Sequence, residues 1–193
     1  MLTHLNSKKI ILASKSPRRQ ELLKGLDIPF EIKTKDIDES YSPELDPFLV
    51  PEFLSEKKAD AFIDIIDENT LIITSDTIVI QGKNILEKPQ SKEEGIRMIS
   101  QLSGQTHTVV TGVCIRTKGQ SITFSDQTKV TFNTLSQAEI AYYMDKYQPY
   151  DKAGSYGVQE WIGYVGIEKL EGSYYNVMGL PVHKVYQALK DFK

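Results

Sequence analysis

Ser14-Lys15-Ser16-Pro17-Arg18-Arg19 follows directly on the apolar run Ile10-Ile11-Leu12-Ala13. The pattern predicts a buried strand that ends in two hydroxyls and passes into a proline-led helix with two arginines in its first turn. Ser16 as N-cap and Pro17 at the first helical position need no ligand. The arginines are another matter, because cations at a helix N-terminus oppose the dipole, which favours anions there. A strong anion such as a polyphosphate between them would offset that cost. The plainer alternative is a capped helix whose arginines reach solvent.

Asp76 is the second chemical signal, since it interrupts two apolar runs, Leu71-Ile72-Ile73 and Ile78-Val79-Ile80. An ionised carboxylate buried without a partner costs on the order of several kcal/mol, so a cation, hydrogen bonds or a metal must satisfy it. It reads equally as a catalytic base and as a structural aspartate bonded to backbone or to Thr77. Cations able to balance a polyphosphate occur at Arg18, Arg19, Lys58, Lys88 and Lys152. Lys88 precedes Pro89, which forces an extended backbone and would fix its direction. Asp36, Asp38 and Glu39 could hold Mg²⁺ through oxygen ligands, or form a solvent-facing turn. Gln159 both donates and accepts, so it could read a base edge; ordinary strand polarity is the alternative. No Walker A pattern, dinucleotide glycine fingerprint, His-Glu zinc motif or nucleophile elbow is present.

These residues must be held by alternating strands and helices. Phe30 to Lys33 reads as a strand, and Ser42 to Pro51, with three prolines, as a loop. Phe53, Leu54, Ala61, Phe62 and Ile65 fall near a helical period. Thr70 to Thr74 reads as a short strand ending at Ser75-Asp76-Thr77 before Ile78-Val79-Ile80 resumes. Ser91-Lys92-Glu93-Glu94 and Ser136-Gln137-Ala138-Glu139 have capping-box spacing. The first opens a helix through Ile96, Ile99 and Leu102, the second one through Ile140, Tyr143 and Tyr147. Thr106 to Arg116 and Ser121 to Thr134 form a hairpin around Lys118-Gly119. Glycines from Gly154 to Gly172 punctuate short strands, and Val182, Val185, Tyr186 and Leu189 line a final helix. Strands joined both by hairpins and by helices argue for a mixed sheet.

Composition narrows the functions further. The chain has 193 residues, enough for one domain or a core with a lobe. Its net charge of −3 leaves no basic excess for nucleic acid, so phosphate binding has to come from a local cluster of cations. A single cysteine, Cys114, excludes an intramolecular disulfide and a cysteine-rich zinc site. His4, His107 and His183 have no metal-motif spacing. Met1 to Lys9 is polar and the following apolar run too short to span a bilayer, so a cytoplasmic protein with no membrane contact is expected.

Along essentially its whole length the chain resembles the Maf family of nucleoside triphosphate pyrophosphatases. The matching runs are Leu12 to Arg19, Asp36 to Glu39, Lys58-Ala59, Ser75 to Val79, Leu86 to Pro89 and Leu102 to His107. Asp151 to Gly154, Tyr156 to Gln159 and Asn176 to Pro181 complete the series. Each run is weak alone; their order makes the match specific. The resemblance implies an α/β (mixed α+β) fold related to inosine-triphosphate pyrophosphatases: a long mixed sheet flanked by helices, with a nucleotide cleft between two lobes. It implies one such domain over residues 1–193, and hydrolysis between the α- and β-phosphates with a divalent metal cation, Mg²⁺ or Mn²⁺. By the same resemblance Asp76 is the catalytic proton acceptor. Ser14, Arg19, Lys58 and Lys88 line the phosphate and substrate site, and Glu39 binds the metal or shares the base role. A homodimer is implied at the family level, as is a role in keeping non-standard nucleotides out of nucleic acid.

Arg18, Thr77 and Gln159 resemble the specificity positions of the branch acting on dTTP and UTP, and CTP or modified pyrimidine nucleotides are further candidates. The branch acting on 7-methyl-GTP typically carries tryptophan, glutamine and glutamate at these three places. Two departures stand out: Glu160 follows Gln159 where glycine is usual, and Thr74-Ser75 replaces Gly-Ala before Asp76. Glu160 bears on base preference, whereas the serine is a small change expected to leave the chemistry intact. A nucleotide-responsive regulator of cell division, using the same residues without turnover, is the competing class.

Overall fold

The computed structural model describes residues 2–192. Among these residues seven strands form one mixed sheet: β1 (Lys9–Leu12), β2 (Glu31–Ile32), β3 (Thr70–Gln81), β4 (Asn84–Leu86), β5 (Thr106–Arg116), β6 (Ser121–Phe132) and β7 (Ile167–Glu171). Their order is β2-β1-β3-β5-β6-β7, with β4 paired to β3. β1 runs parallel to both β2 and β3, while β3–β4 and β6–β7 are antiparallel. Among the described residues seven α-helices accompany it: α1 (Pro17–Lys24), α2 (Val50–Asp60), α3 (Lys92–Leu102), α4 (Gln137–Tyr147), α5 (Trp161–Gly166), α6 (Tyr174–Met178) and α7 (Val182–Leu189). None of them is long and apolar enough to cross a membrane.

The chain divides into two compact units. The first comprises Met1–Asp76, Thr111–Asp126 and Gly179–Lys193; the second comprises Thr77–Val110 and Gln127–Met178. In the first, Ile11 and Ile72 from neighbouring strands bury against Phe62, with Ala13, Ala61, Ile65 and Ile66 around them. A Cβ on Gly112 would lie 2.2 Å from the Pro51 carbonyl carbon, so only glycine lets β5 pass this close to the first turn of α2. In the second, Ile99 and Leu102 of α3 and Ile140, Tyr143 and Met144 of α4 bury with Val130 and Phe132 of β6.

Local signals act as expected at several helix starts. Ser16 accepts from the Arg19 amide with Pro17 behind it, and Ser136 and Glu139 make both halves of a capping box. At Ser91 only one half forms, because Glu94 turns its carboxylate to the Gln90 amide. The Lys118-Gly119 hairpin is present, closed by the Thr117 amide donating to the Gln120 carbonyl at 2.8 Å.

Elsewhere the structure corrects the sequence reading. β3 is unbroken from Thr70 to Gln81, so Asp76 stands within a strand and not at its end. α2 stops at Asp60, and Phe62 and Ile65 follow in tight turns bonded three residues back, which still deliver both side chains to the core. The segment from Gly154 to Gly166 forms a short 3₁₀ turn and α5 in place of strands. Phe30 to Lys33 yields only the two-residue exposed strand β2.

Candidate active site

Asp76 is 8% exposed. Its Oδ1 accepts a hydrogen bond from Lys58 Nζ at 2.6 Å, and the same ammonium stands 3.1 Å from Glu39 Oε1. Lys58 reaches this place because α2 is stapled to β3 one turn earlier. There the buried Thr74 hydroxyl donates to the Ser55 carbonyl at 2.6 Å. One ammonium between two carboxylates lets both acids sit close without mutual repulsion dominating.

Arg19 lies beside this group, with its fork directed at backbone. Its Nε donates to the Gly179 carbonyl at 2.9 Å and its Nη1 to the Ser75 carbonyl at 2.7 Å. Ser75 Oγ closes the triangle, donating to the same Gly179 carbonyl at 3.0 Å. Gly179 has φ 111°, a conformation suited to glycine, and it is this turn that presents the carbonyl. Burial lowers the Arg19 pKa and the neighbouring Arg18 charge lowers it further, while Asp76 and Glu39 act in the opposite direction. Ser14 is buried; its Oγ accepts from the Ser16 amide at 3.2 Å and its carbonyl from Gln20 Nε2 at 3.3 Å. The first unit therefore brings together Asp76, Lys58, Glu39 and Arg19, with Ser14, Arg18 and Arg19 around the start of α1.

Thr77, Lys88 and Gln159 belong to the second unit. Thr77 follows Asp76 along β3 and is half-buried, and Lys88 is exposed in the loop after β4. Gln159 is half-buried, yet its Oε1 is fully enclosed and has no hydrogen-bond partner among the described residues. Lys152, read from sequence as a cation able to balance a polyphosphate, pairs with Asp151 at 2.7 Å and Glu160 at 3.0 Å. Tyr143 donates to the other oxygen of Glu160 and accepts from the Gly157 amide at 3.0 Å. Burial, aided by Glu160, raises the Tyr143 pKa, which keeps that hydroxyl a donor.

The acidic run divides. Asp36 pairs with exposed Lys15, and Asp38 is held down at about 2 by hydrogen bonds from Ser40, helped by Lys57. Only Glu39 reaches Lys58. Among the described residues no group of three or more His, Cys, Asp or Glu side chains could by itself hold a metal ion. Asp76 and Glu39 flanking an ammonium do offer two hard oxygen donors around a cation position. That suits an ion which takes one or two carboxylates and completes its shell with phosphate oxygens and water. A separate cavity of about 380 Å³ is lined by Ile63, Ile66 and residues 116–121 and holds none of these side chains. Its Arg116 and Lys118 are paired with Asp60 and Glu68.

Sequence reasoning missed the anchoring role of the Gly179 carbonyl, the Thr74 staple and the Tyr143–Glu160–Lys152 network. The run Asn176 to Pro181 was a signal for the first; the others are side-chain bonds between separate elements, which residue spacing does not reveal.

The family model described as Maf-like protein matches residues 9–192. A protein named dTTP/UTP pyrophosphatase from Porphyromonas gingivalis is 55% identical, covering 100% of this chain and 98% of that protein. A protein of the same name from Parabacteroides distasonis is 51% identical over the whole of both chains. Among solved structures, the Staphylococcus aureus Ham1 protein matches with a TM-score of 0.48 and 14% identity, over 65% of this chain and 72% of that one.

Proposed function

Because this chain belongs to the family of Maf-like proteins, we propose that it is a nucleoside triphosphate pyrophosphatase acting on dTTP and UTP. It would release the nucleoside monophosphate and pyrophosphate. Full-length relatives carrying that activity in their names support the substrate class. The observation that carries the chemistry is Asp76, a largely buried carboxylate bonded at 2.6 Å to a lysine that also serves Glu39.

In this reading Asp76 takes a proton from the attacking water. The water oxygen bonds to the α-phosphorus, and the bond from that phosphorus to the bridging oxygen breaks in line, so pyrophosphate carries the electron pair away. Lys58 can turn from the carboxylates toward the phosphates, and with Arg18 and Lys88 it would offset the charge that develops there. Arg19 keeps the Ser75–Asp76 backbone fixed through its two carbonyl contacts. Ser14 supplies a polar wall, and Thr77 and Gln159 are assigned to the base, as in the pyrimidine-specific branch. Asp76 and Glu39 would hold a divalent cation, Mg²⁺ or Mn²⁺, which when bound neutralises phosphate charge.

The test is pyrophosphate release from a panel of dTTP, UTP, CTP and 7-methyl-GTP with Mg²⁺ or Mn²⁺. Release from dTTP and UTP, abolished in a folded Asp76→Asn variant, is expected. Unchanged triphosphate with wild type would overturn the enzymatic reading in favour of a nucleotide sensor.

A further inference from the structure

Gln159 has an enclosed carboxamide oxygen without a partner among the described residues, so no hydrogen bond through that atom holds its side chain in place. Its position depends on what packs against it. A Cβ on Gly157 would meet Glu160 Cδ at 2.8 Å and both Gln159 Nε2 and Glu160 Oε2 at 3.0 Å, so the two side chains fold together over that glycine. The Glu160 amide donates to the Gly157 carbonyl at 3.0 Å, making residues 157–160 a tight turn.

Glu160 is tied down from two sides. Lys152 Nζ reaches one carboxylate oxygen at 3.0 Å, and Tyr143 Oη donates to the other. The same Tyr143 hydroxyl accepts from the Gly157 amide at 3.0 Å, so it clamps the first and last residues of the turn that carries Gln159. An ion pair and hydrogen bonds at this degree of burial impose geometry more than they add stability.

We infer that Glu160 is a positioning residue for Gln159, holding its unpaired acceptor where an imide N–H is read; the inference rests on the assignment of Gln159 to the base. Uracil and thymine carry that N–H at position 3, whereas cytosine has a bare acceptor there. Correct placement of the Gln159 oxygen therefore separates UTP from CTP, and a loosened turn blurs the distinction.

The experiment compares kcat and KM for UTP and CTP in Glu160→Ala, Glu160→Gln and Gln159→Ala, and in the Gln159→Ala/Glu160→Ala double variant. Wild type is expected to prefer UTP. Glu160→Ala should reduce that preference about tenfold, the worth of one well-placed hydrogen bond, mainly through a higher KM for UTP. Glu160→Gln, whose oxygen can still accept from Tyr143, should retain most of the preference. In the Gln159→Ala background the Glu160 change should alter the ratio less than about twofold, since coupled residues are non-additive. An unchanged ratio in folded Glu160→Ala, an equal loss in both backgrounds, or a wild-type ratio near one overturns the inference. Should Glu160→Ala fail to melt cooperatively, Tyr143→Phe breaks the same clamp and is judged by the same ratio. Absence of pyrophosphate release from UTP by wild type is a separate outcome, which overturns the functional reading itself.

Discussion

At Lys58 a single ammonium serves Asp76 and Glu39, and both Lys58 and Asp76 are largely withdrawn from water. Replacing it by methionine takes from Asp76 its hydrogen-bonded ammonium and leaves only the charge of Arg19 nearby. Lys58→Met should lower stability by about 2 kcal/mol in urea denaturation and kcat/KM by roughly 10²–10³. Adding Asp76→Asn should recover most of the stability and none of the activity; a double variant as unstable as the single one would contradict the pairing. His107, in the second unit, offers another test. It is buried, 2.7 Å from the Tyr156 hydroxyl and edge-on to Phe132, and burial holds its pKa at about 4 against an ordinary 6.5. The unfolded chain therefore binds the extra proton first as pH falls. This contribution is complete above pH 6.5 and declines toward pH 4, by about 3 kcal/mol in all. His107→Gln, which cannot titrate, should flatten that part of the stability profile measured by denaturant melts.

At the scale of elements, the depth of α2 against β3 and β5 decides where Lys58 ends. The Thr74 hydroxyl on the Ser55 carbonyl and the bare Cα of Gly112 under Pro51 set that depth. Gly112→Ala forces α2 outward, with an expected loss of about 1–3 kcal/mol from overpacking and a fall in kcat read by pyrophosphate release. A melting temperature and rate equal to wild type would show that the close approach carries no weight. Much of this scaffold was legible in the sequence: Ser16-Pro17 at α1, the Ser136–Glu139 box at α4 and the 118–119 hairpin depend on neighbours within a few residues, and the mixed sheet follows from strands joined both by hairpins and by helices. The continuity of β3 was not legible, because Thr74-Ser75-Asp76 looks like a strand end until Ser55, Gly179 and Lys58 are known to satisfy it. Arg18, Arg19 and Asp76 stood out by residue type, whereas Arg19's commitment to two carbonyls could not be seen from a helix start alone. The glycines of 154–166 suggested strands, and α5 forms with Gly163 backed onto the Val158 carbonyl, where a Cβ would stand 1.8 Å away.

For the molecule as a whole, a net charge of −3 means that nucleotide affinity rests on a few placed cations and not on a broad field. Binding should then report itself as stabilisation of the folded state. With Asp76→Asn to suppress turnover, UTP at a hundredfold excess over its Kd should add about 2.7 kcal/mol, several degrees in a thermal melt. No shift with UTP, dTTP or CTP would count against a nucleotide site. The first unit is also discontinuous, since it takes residues up to Asp76, then Thr111–Asp126, and is completed by the segment beginning at Gly179. Leu180, Val185, Leu189 and Phe192 of that segment are fully buried, and His4 joins it through the Leu189 carbonyl at 3.0 Å. On the ribosome, then, the aspartate and its lysine emerge long before the carbonyl that anchors Arg19. A nascent chain stalled short of Gly179 carries Asp76, Lys58 and Glu39 without the carbonyl that anchors Arg19 beside them, so the first unit is completed only once that segment is made.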